Sequence, residues 1–390
     1  MACYIASNAN RFYAALETTF GSLALATSLS RVPAIGLGVR RETELPQRRD
    51  KTGLRTYAGL PSGFRNRTQF ELETLLTEWD TTHPEPAYGP LFQAALGSTP
   101  SFFAGGTVQA VTGPTTLVLS GNHGLAVDQA VQSNGELRFV AAIVDESTVL
   151  LNAPFKTAPE PGASLGATIT YMPATELPSV SIYDYWDPPE ALQRILVGCG
   201  IDTLRIDING DFHRFRFSGM SRDLIDNATY TSGQAGSTEF PQEPEVVSLS
   251  HTVVPGNLGQ AWFGDGPTQF FSVLTAEVAL DNSLEGRSRE FGSDSLQCLV
   301  PGDRHVNMTF RLYSNTEPET TALYQAARQR SPIPVMLQLG QGTGQLCGVY
   351  MKSVVPAVPE FDDAENRLQW NFGRSRAQGT SNDELVIAFG

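Results

Sequence analysis

No apolar run approaches the roughly 18 residues that a membrane-spanning helix needs. The first thirty residues lack a basic start followed by a compact apolar core, so no secretory signal is expected. Lysine is almost missing, occurring only at Lys51, Lys156 and Lys352, so nearly all positive charge is arginine. Arginine's planar fork suits fixed, paired contacts, although a GC-rich genome would favour the same residue. Cations are outnumbered, 27 against 41 acids, for a formal net charge of −14. That balance disfavours a duplex-DNA reader, which must displace phosphate counterions, and an anionic membrane surface. The four cysteines, Cys3, Cys199, Cys298 and Cys347, are scattered without CxxC or Cys–His spacing. They exclude a local zinc motif and make a disulfide framework improbable without an export signal; thiols in a reducing compartment are expected.

Sequence motifs for catalysis are also scarce. None of the five histidines (His83, His123, His213, His251, His305) pairs with another at i,i+4 or neighbours a cysteine. GASLG from Gly162 matches a nucleophile elbow, but Pro159 and Pro161 precede it and a β-forming ATITY follows, so a turn is predicted. GQGTGQ after Leu339 lacks the lysine and helix of a phosphate loop. DINGD lacks the remaining ligands of a calcium loop. No catalytic residue, cofactor or metal is therefore expected, and the chain is read as a non-enzyme.

What is present is a β protein with ample material for a core. At 390 residues the chain has room for two or three domains. Gly and Pro, 36 and 25, fall short of a low-complexity composition, so disorder is excluded as the main state. Short alternating segments bounded by Gly, Pro, Asn and Asp dominate. In IDTLRIDINGDFHRFRFSG, Asn209-Gly210 predicts a two-residue type I′ hairpin pairing Ile206 with His213 and Leu204 with Phe215. One face would carry Leu204, Ile206, Ile208, Phe215 and Phe217, the other Arg205, Asp207, Arg214 and Arg216. Helices are predicted in WDPPEALQRILVGCG, capped by Asp187 and stopped at Gly200, in NTEPETTALYQAARQRSP and, shorter, in PEPAYGPLFQAALG.

The last two helices sit in an internal repeat. RRDKTGLRTYAGLPSGFRNRTQFELETLL and SREFGSDSLQCLVPGDRHVNMTFRLYS align at an offset of about 240 residues, with Pro61 on Pro301, Phe70 on Phe310, Leu72 on Leu312 and Arg49-Asp50 on Arg289-Glu290. A duplicated β domain is expected: residues 1–97 with 178–240, then 241–390. Residues 98–177 have no counterpart and read as an inserted β module around the hairpin ELRFVAAIVDESTVLLNAPF, a peripheral graft with Gly/Pro-rich ends. TYTSGQAGSTEFPQEPE reads as the linker between copies.

NRFYAALETTFGS resembles the opening of bacteriophage tail proteins, and the two copies resemble the tail tube domain of long-tailed (siphovirus-type) phages. The resemblance rests on a β-rich unit, one flanking helix and a charged loop between early strands, and spans both copies. It implies two tandem tube-like β-sandwich or barrel domains plus a small β insert. It also implies a virion structural protein, assembled in the host cytoplasm, that forms trimeric rings with pseudo-sixfold symmetry stacked into a tail tube. Its partners would be itself and the tape measure, tail terminator and distal tail proteins. Double-stranded DNA would pass through the tube during ejection without specific binding, and no membrane would be involved. By that resemblance the early loops make inter-ring or inter-subunit contacts. The residues concerned are Arg40, Arg41, Arg48, Arg49, Asp50 and Lys51 in the first copy, and Arg287, Arg289 and Glu290 in the second. Two other readings stand beside it. One is another tail component (distal tail, hub or terminator protein); the other is a β-rich carbohydrate-binding or -cleaving protein, for which Trp186, Trp262 and Trp370 would be platform candidates and Trp79 flanks a helix.

Overall fold

The computed structural model describes residues 4–44, 51, 53–55, 65–81, 83–246, 252–264, 266, 270–287 and 290–390. With 47% of residues in strands and 7% helical, the protein is all-β, as its alternating segments predict.

The first half contains β1 (Asn10–Leu16), β2 (Arg31–Val32), β3 (Ala34–Glu44), β4 (Arg65–Leu75), α1 (Gly89–Leu96), β5 (Val180–Trp186), β6 (Arg194–Ile208), β7 (Arg214–Ser221) and β8 (Asp223–Asp226). The second contains β9 (Gly259–Phe263), β10 (Phe270–Phe271), β11 (Val273–Asp281), β12 (His305–Tyr313), α2 (Pro318–Gln329), β13 (Ile333–Leu339), β14 (Cys347–Val355), β15 (Glu360–Asp362), β16 (Gln369–Ala377) and β17 (Val386–Phe389). Strand patterning is period two: in β4, Phe70, Leu72 and Thr74 are buried while Arg67 and Glu71 are exposed. Both helices begin with proline in the first turn, where its missing N–H costs nothing. α1 is buried almost throughout, with Phe92 packed edge-on against Phe215, Phe217 and Phe389; α2 buries a single stripe.

The antiparallel pairings of the first half recur in the second. β1 pairs with β2 and β5, and β9 with β10 and β13. β5–β6 matches β13–β14, β3–β4 matches β11–β12, and β4–β7 matches β12–β16. β6 pairs with β7 and β8; β14 pairs with β16 and β17, and β15 continues the pairing with β16. Irregularities recur too, between Ala34 and Gly36 in β3 and between Val273 and Thr275 in β11. These register marks set Val39 against Val278 and Leu72 against Phe310, one and two residues away from the alignment read in the sequence. The halves join where β6 pairs with β11, Ile206 opposite Val278. The result is one continuous antiparallel sheet in the order β3–β4–β7–β6–β11–β12–β16.

Within residues 98–177, six strands between Gly106 and Leu165 form a separate sheet with its own apolar cluster, including Val108, Leu117, Val140 and Val149. Its Glu136–Ile143 and Thr148–Leu151 strands make the predicted hairpin. The flanking strands Ser101–Phe103 and Thr168–Tyr171 belong instead to the main sheet, where Thr168–Tyr171 pairs with β17. The insert is no loose graft. Leu137 and Phe139 pack into a buried cluster with Trp262, Met336 and Tyr350 of the second half. The linker is docked as well: Tyr230 and Phe240 pack on the Tyr13, Tyr183 and Tyr185 cluster, and Arg11 forks onto Glu243 at 2.5 and 2.7 Å.

Two local expectations fail. The segment predicted as a helix after Asp187 forms β6, buried on both faces from Ile195 to Ile201. An apolar run covered on both sides carries no period that separates strand from helix. The Asn209-Gly210 hairpin closes two residues later, with Ile206 opposite Phe215 and Leu204 opposite Phe217. Asn209 takes φ 64° but Gly210 is not left-handed, so the type I′ turn is not made; Phe212 bridges to Pro255 instead. A slip of two preserves the strand period, so the apolar and arginine faces keep their predicted membership.

Candidate assembly surface

The continuous sheet has one face on the core and one face lined by polar side chains. On β4, β7, β6 and β11 the outward positions carry Glu73, Arg214, Arg216, Arg205, Asp207 and Glu277. Opposite charges meet across the strands: Arg214 reaches Glu73 at 3.0 Å, and Arg216 donates to Asp207. On β3, Arg40 pairs with Glu42 at 3.0 Å. Each exposed pair adds about 0–1 kcal/mol, so their main effect is to make a face of interleaved charge with few bare cations. An open groove of 540 Å³ crosses this face between Arg40, Arg67, Glu71, Asp202 and Met220.

The early-loop residues are placed as follows. Arg40 and Arg41 lie on β3, with Arg41 3.7 Å from Asp223 of β8. Burial pushes the Asp223 carboxyl up, against the Leu224 N–H and the Arg41 charge that pull it down. Lys51 is exposed. Arg48, Arg49, Asp50 and Arg289 lie outside the described residues. Arg287 and the exposed Glu290 belong to the second loop, which folds back as a small hairpin of Glu285–Arg287 on Cys298–Val300. This second loop reaches the start of β4, where the Asn66 N–H donates to the Asp294 carbonyl at 3.0 Å. The same hairpin exposes Phe291 fully.

Sequence reading missed two features. One is the acidic edge of β15 with the residue after it, Glu360, Asp362 and Asp363, visible in the sequence only as a short acidic run after Pro359. The other is a buried polar knot where the insert meets the second half. Arg138, wholly buried, donates to the Pro154 carbonyl at 2.8 Å, to Gln260 at 3.0 Å and to Glu136. Burial drives its guanidinium down to about 10, with Glu136 pulling it back up. Nothing in a lone Arg between apolar residues signals such a site.

Of the three platform candidates, Trp262 and Trp370 are buried, while Trp186 at the end of β5 is partly exposed; Trp79 is buried too. Ser164 of GASLG enters a strand with no helix after it, and GQGTGQ is the turn between β13 and β14. Among the described residues, no cluster of three or more metal-ligating side chains exists, and no helix is long and apolar enough to cross a membrane. No protein-family model matches the chain, and no curated protein matches it in sequence.

Proposed function

We propose that this chain is a non-enzymatic structural protein of a long-tailed phage virion, one that assembles into trimeric rings stacked as the tail tube. The observation that carries the reading is the duplicated set of pairings joined edge to edge into one sheet with a polar, charge-interleaved face. A unit that joins its own twin through strand edges is built for repetition, and three chains would present six such units around a channel. Duplex DNA could pass a wall whose arginines are answered by neighbouring acids, in a protein that is negative overall. No cofactor is required. Tape measure, terminator and distal tail proteins would be its partners in the virion.

Negative-stain microscopy of the purified chain tests this directly. Rings of about threefold mass or tubes are expected. A protein that stays monomeric at every concentration would overturn the proposal.

A further inference from the structure

We infer that β3 of one chain pairs antiparallel with β15 of a second copy, reproducing between chains the β6–β11 joint found within the chain. The inference rests on the ring-forming reading above but not on its phage setting. Inside the chain, β6 uses both edges of its C-terminal half, one for β7 and one for β11. Its counterpart β15 pairs only with β16 among the described residues. Likewise β11 is held between β12 and β6, while among the described residues its counterpart β3 pairs only with β4. Among the described residues each half therefore lacks one partner, and each open edge is the counterpart of a strand that fits the other. An open strand edge presents unpaired N–H and C=O groups that another chain can complete.

The internal joint fixes the register. Ile206 pairs with Phe215 on one side and Val278 on the other. Phe361 pairs with Trp370, which occupies the place of Phe215 along the equivalent ladder, so Phe361 corresponds to Ile206. Val39 corresponds to Val278. Between chains, then, Phe361 lies opposite Val39, Glu360 opposite Arg40, and Asp362 opposite Gly38. The chemistry agrees with a register chosen on topology alone. Phe361 is 58% exposed with one ring face stacked on Trp370, and Val39 is an apolar residue only partly covered. Glu360 and Arg40 are exposed and opposite in charge. Because the two edges differ, the contact is head to tail, which closes into a ring or runs on as an open chain.

Cross-linking in trans tests the pairing in the full chain with Cys3 and Cys298 replaced by serine, leaving the buried Cys199 and Cys347. Mixing a Val39→Cys chain with a Phe361→Cys chain should give a covalent dimer under mild oxidation or with a short thiol cross-linker. Neither chain alone should, nor should Phe361→Cys mixed with Leu192→Cys. Should a cysteine variant misfold, charge reversal at exposed positions keeps the test open. Arg40→Glu and Glu360→Arg should each weaken self-association about fivefold, and the two reversals in one chain should restore it. Rings that form without the 39–361 cross-link and ignore both reversals would overturn the edge pairing and leave the ring reading standing. The cross-link in open chains without rings would uphold the pairing and overturn ring closure. Absence of any self-association would overturn both.

Discussion

Glu17 shows how single polar residues hold the first half together. It is almost fully buried, and its carboxylate accepts from the Gly21 N–H at 2.8 Å and from the Ser179 hydroxyl, the Ser181 hydroxyl and the Gly198 N–H, each at 2.7 Å. Replacing it with alanine strands four donors away from water, so Glu17→Ala should lower unfolding stability by about 3 kcal/mol in urea titration. A loss below about 1 kcal/mol would mean that water takes over the carboxylate's role. His213 gives a pH signature. Its Nε2–H donates to the Leu258 carbonyl at 3.0 Å, which fixes the neutral tautomer, and burial depresses its pKa below 6.5. The unfolded chain then binds the proton first on acidification, so His213 contributes stability above about pH 6.5 that is lost as pH falls below it. His213→Gln should flatten the stability-against-pH curve between pH 6.5 and 5. An unchanged slope in that variant would assign the effect elsewhere.

Among the elements, β6 does most to unite the molecule, because its two halves serve two different sheets. Residues 194–199 pair with β5 and residues 203–208 with β11, and the bend falls near Gly198, which takes φ 65°. A side chain there would place its Cβ 2.7 Å from that of Arg222. The insert is the second such element. Its approach to β14 is possible because Gly348 has no side chain: a Cβ there would stand 2.5 Å from Leu137. Removing residues 104–166 in favour of a short linker would uncover Trp262, Met336 and Tyr350, so that variant should aggregate rather than assemble, as size-exclusion chromatography would reveal. Well-behaved soluble protein would make the docking incidental. Arg138→Ala attacks the same contact more gently. It leaves the buried Glu136 without its cation, and should cost about 3–5 kcal/mol of stability.

At the scale of the whole molecule the governing quantity is charge. In the proposed ring, three chains of net charge −14 would be strongly anionic, and two such rings would repel unless opposite charges met locally. The end of β3 and the loop after it concentrate cations, with Arg40, Arg41, Arg48, Arg49 and Lys51 within a dozen residues. Replacing both Arg48 and Arg49 with glutamate should therefore leave rings intact while shortening or abolishing tubes in negative stain. Salt near 1 M, where the Debye length is about 3 Å, should weaken wild-type stacking in the same direction. Tubes of normal length from the double variant would return this loop to a solvated surface.

The β class, both true helices, the insert's hairpin and the membership of each face of the arginine-rich hairpin were legible from the chain alone, because they depend on local period and on parity. The strand pairings of the two halves recur one to two residues away from the sequence alignment, since bulges leave no mark in a list of residues. The strand that was expected to be a helix was not legible, because burial on both faces erases the period that tells them apart. Nor could the sequence bring Arg138 to Gln260, or Glu17 to four donors from three separate segments, since such contacts exist only after distant strands have met. The open edges of β3 and β15 belong to the same class. An edge is defined by the neighbour it lacks, and only the tertiary structure decides which neighbours are present.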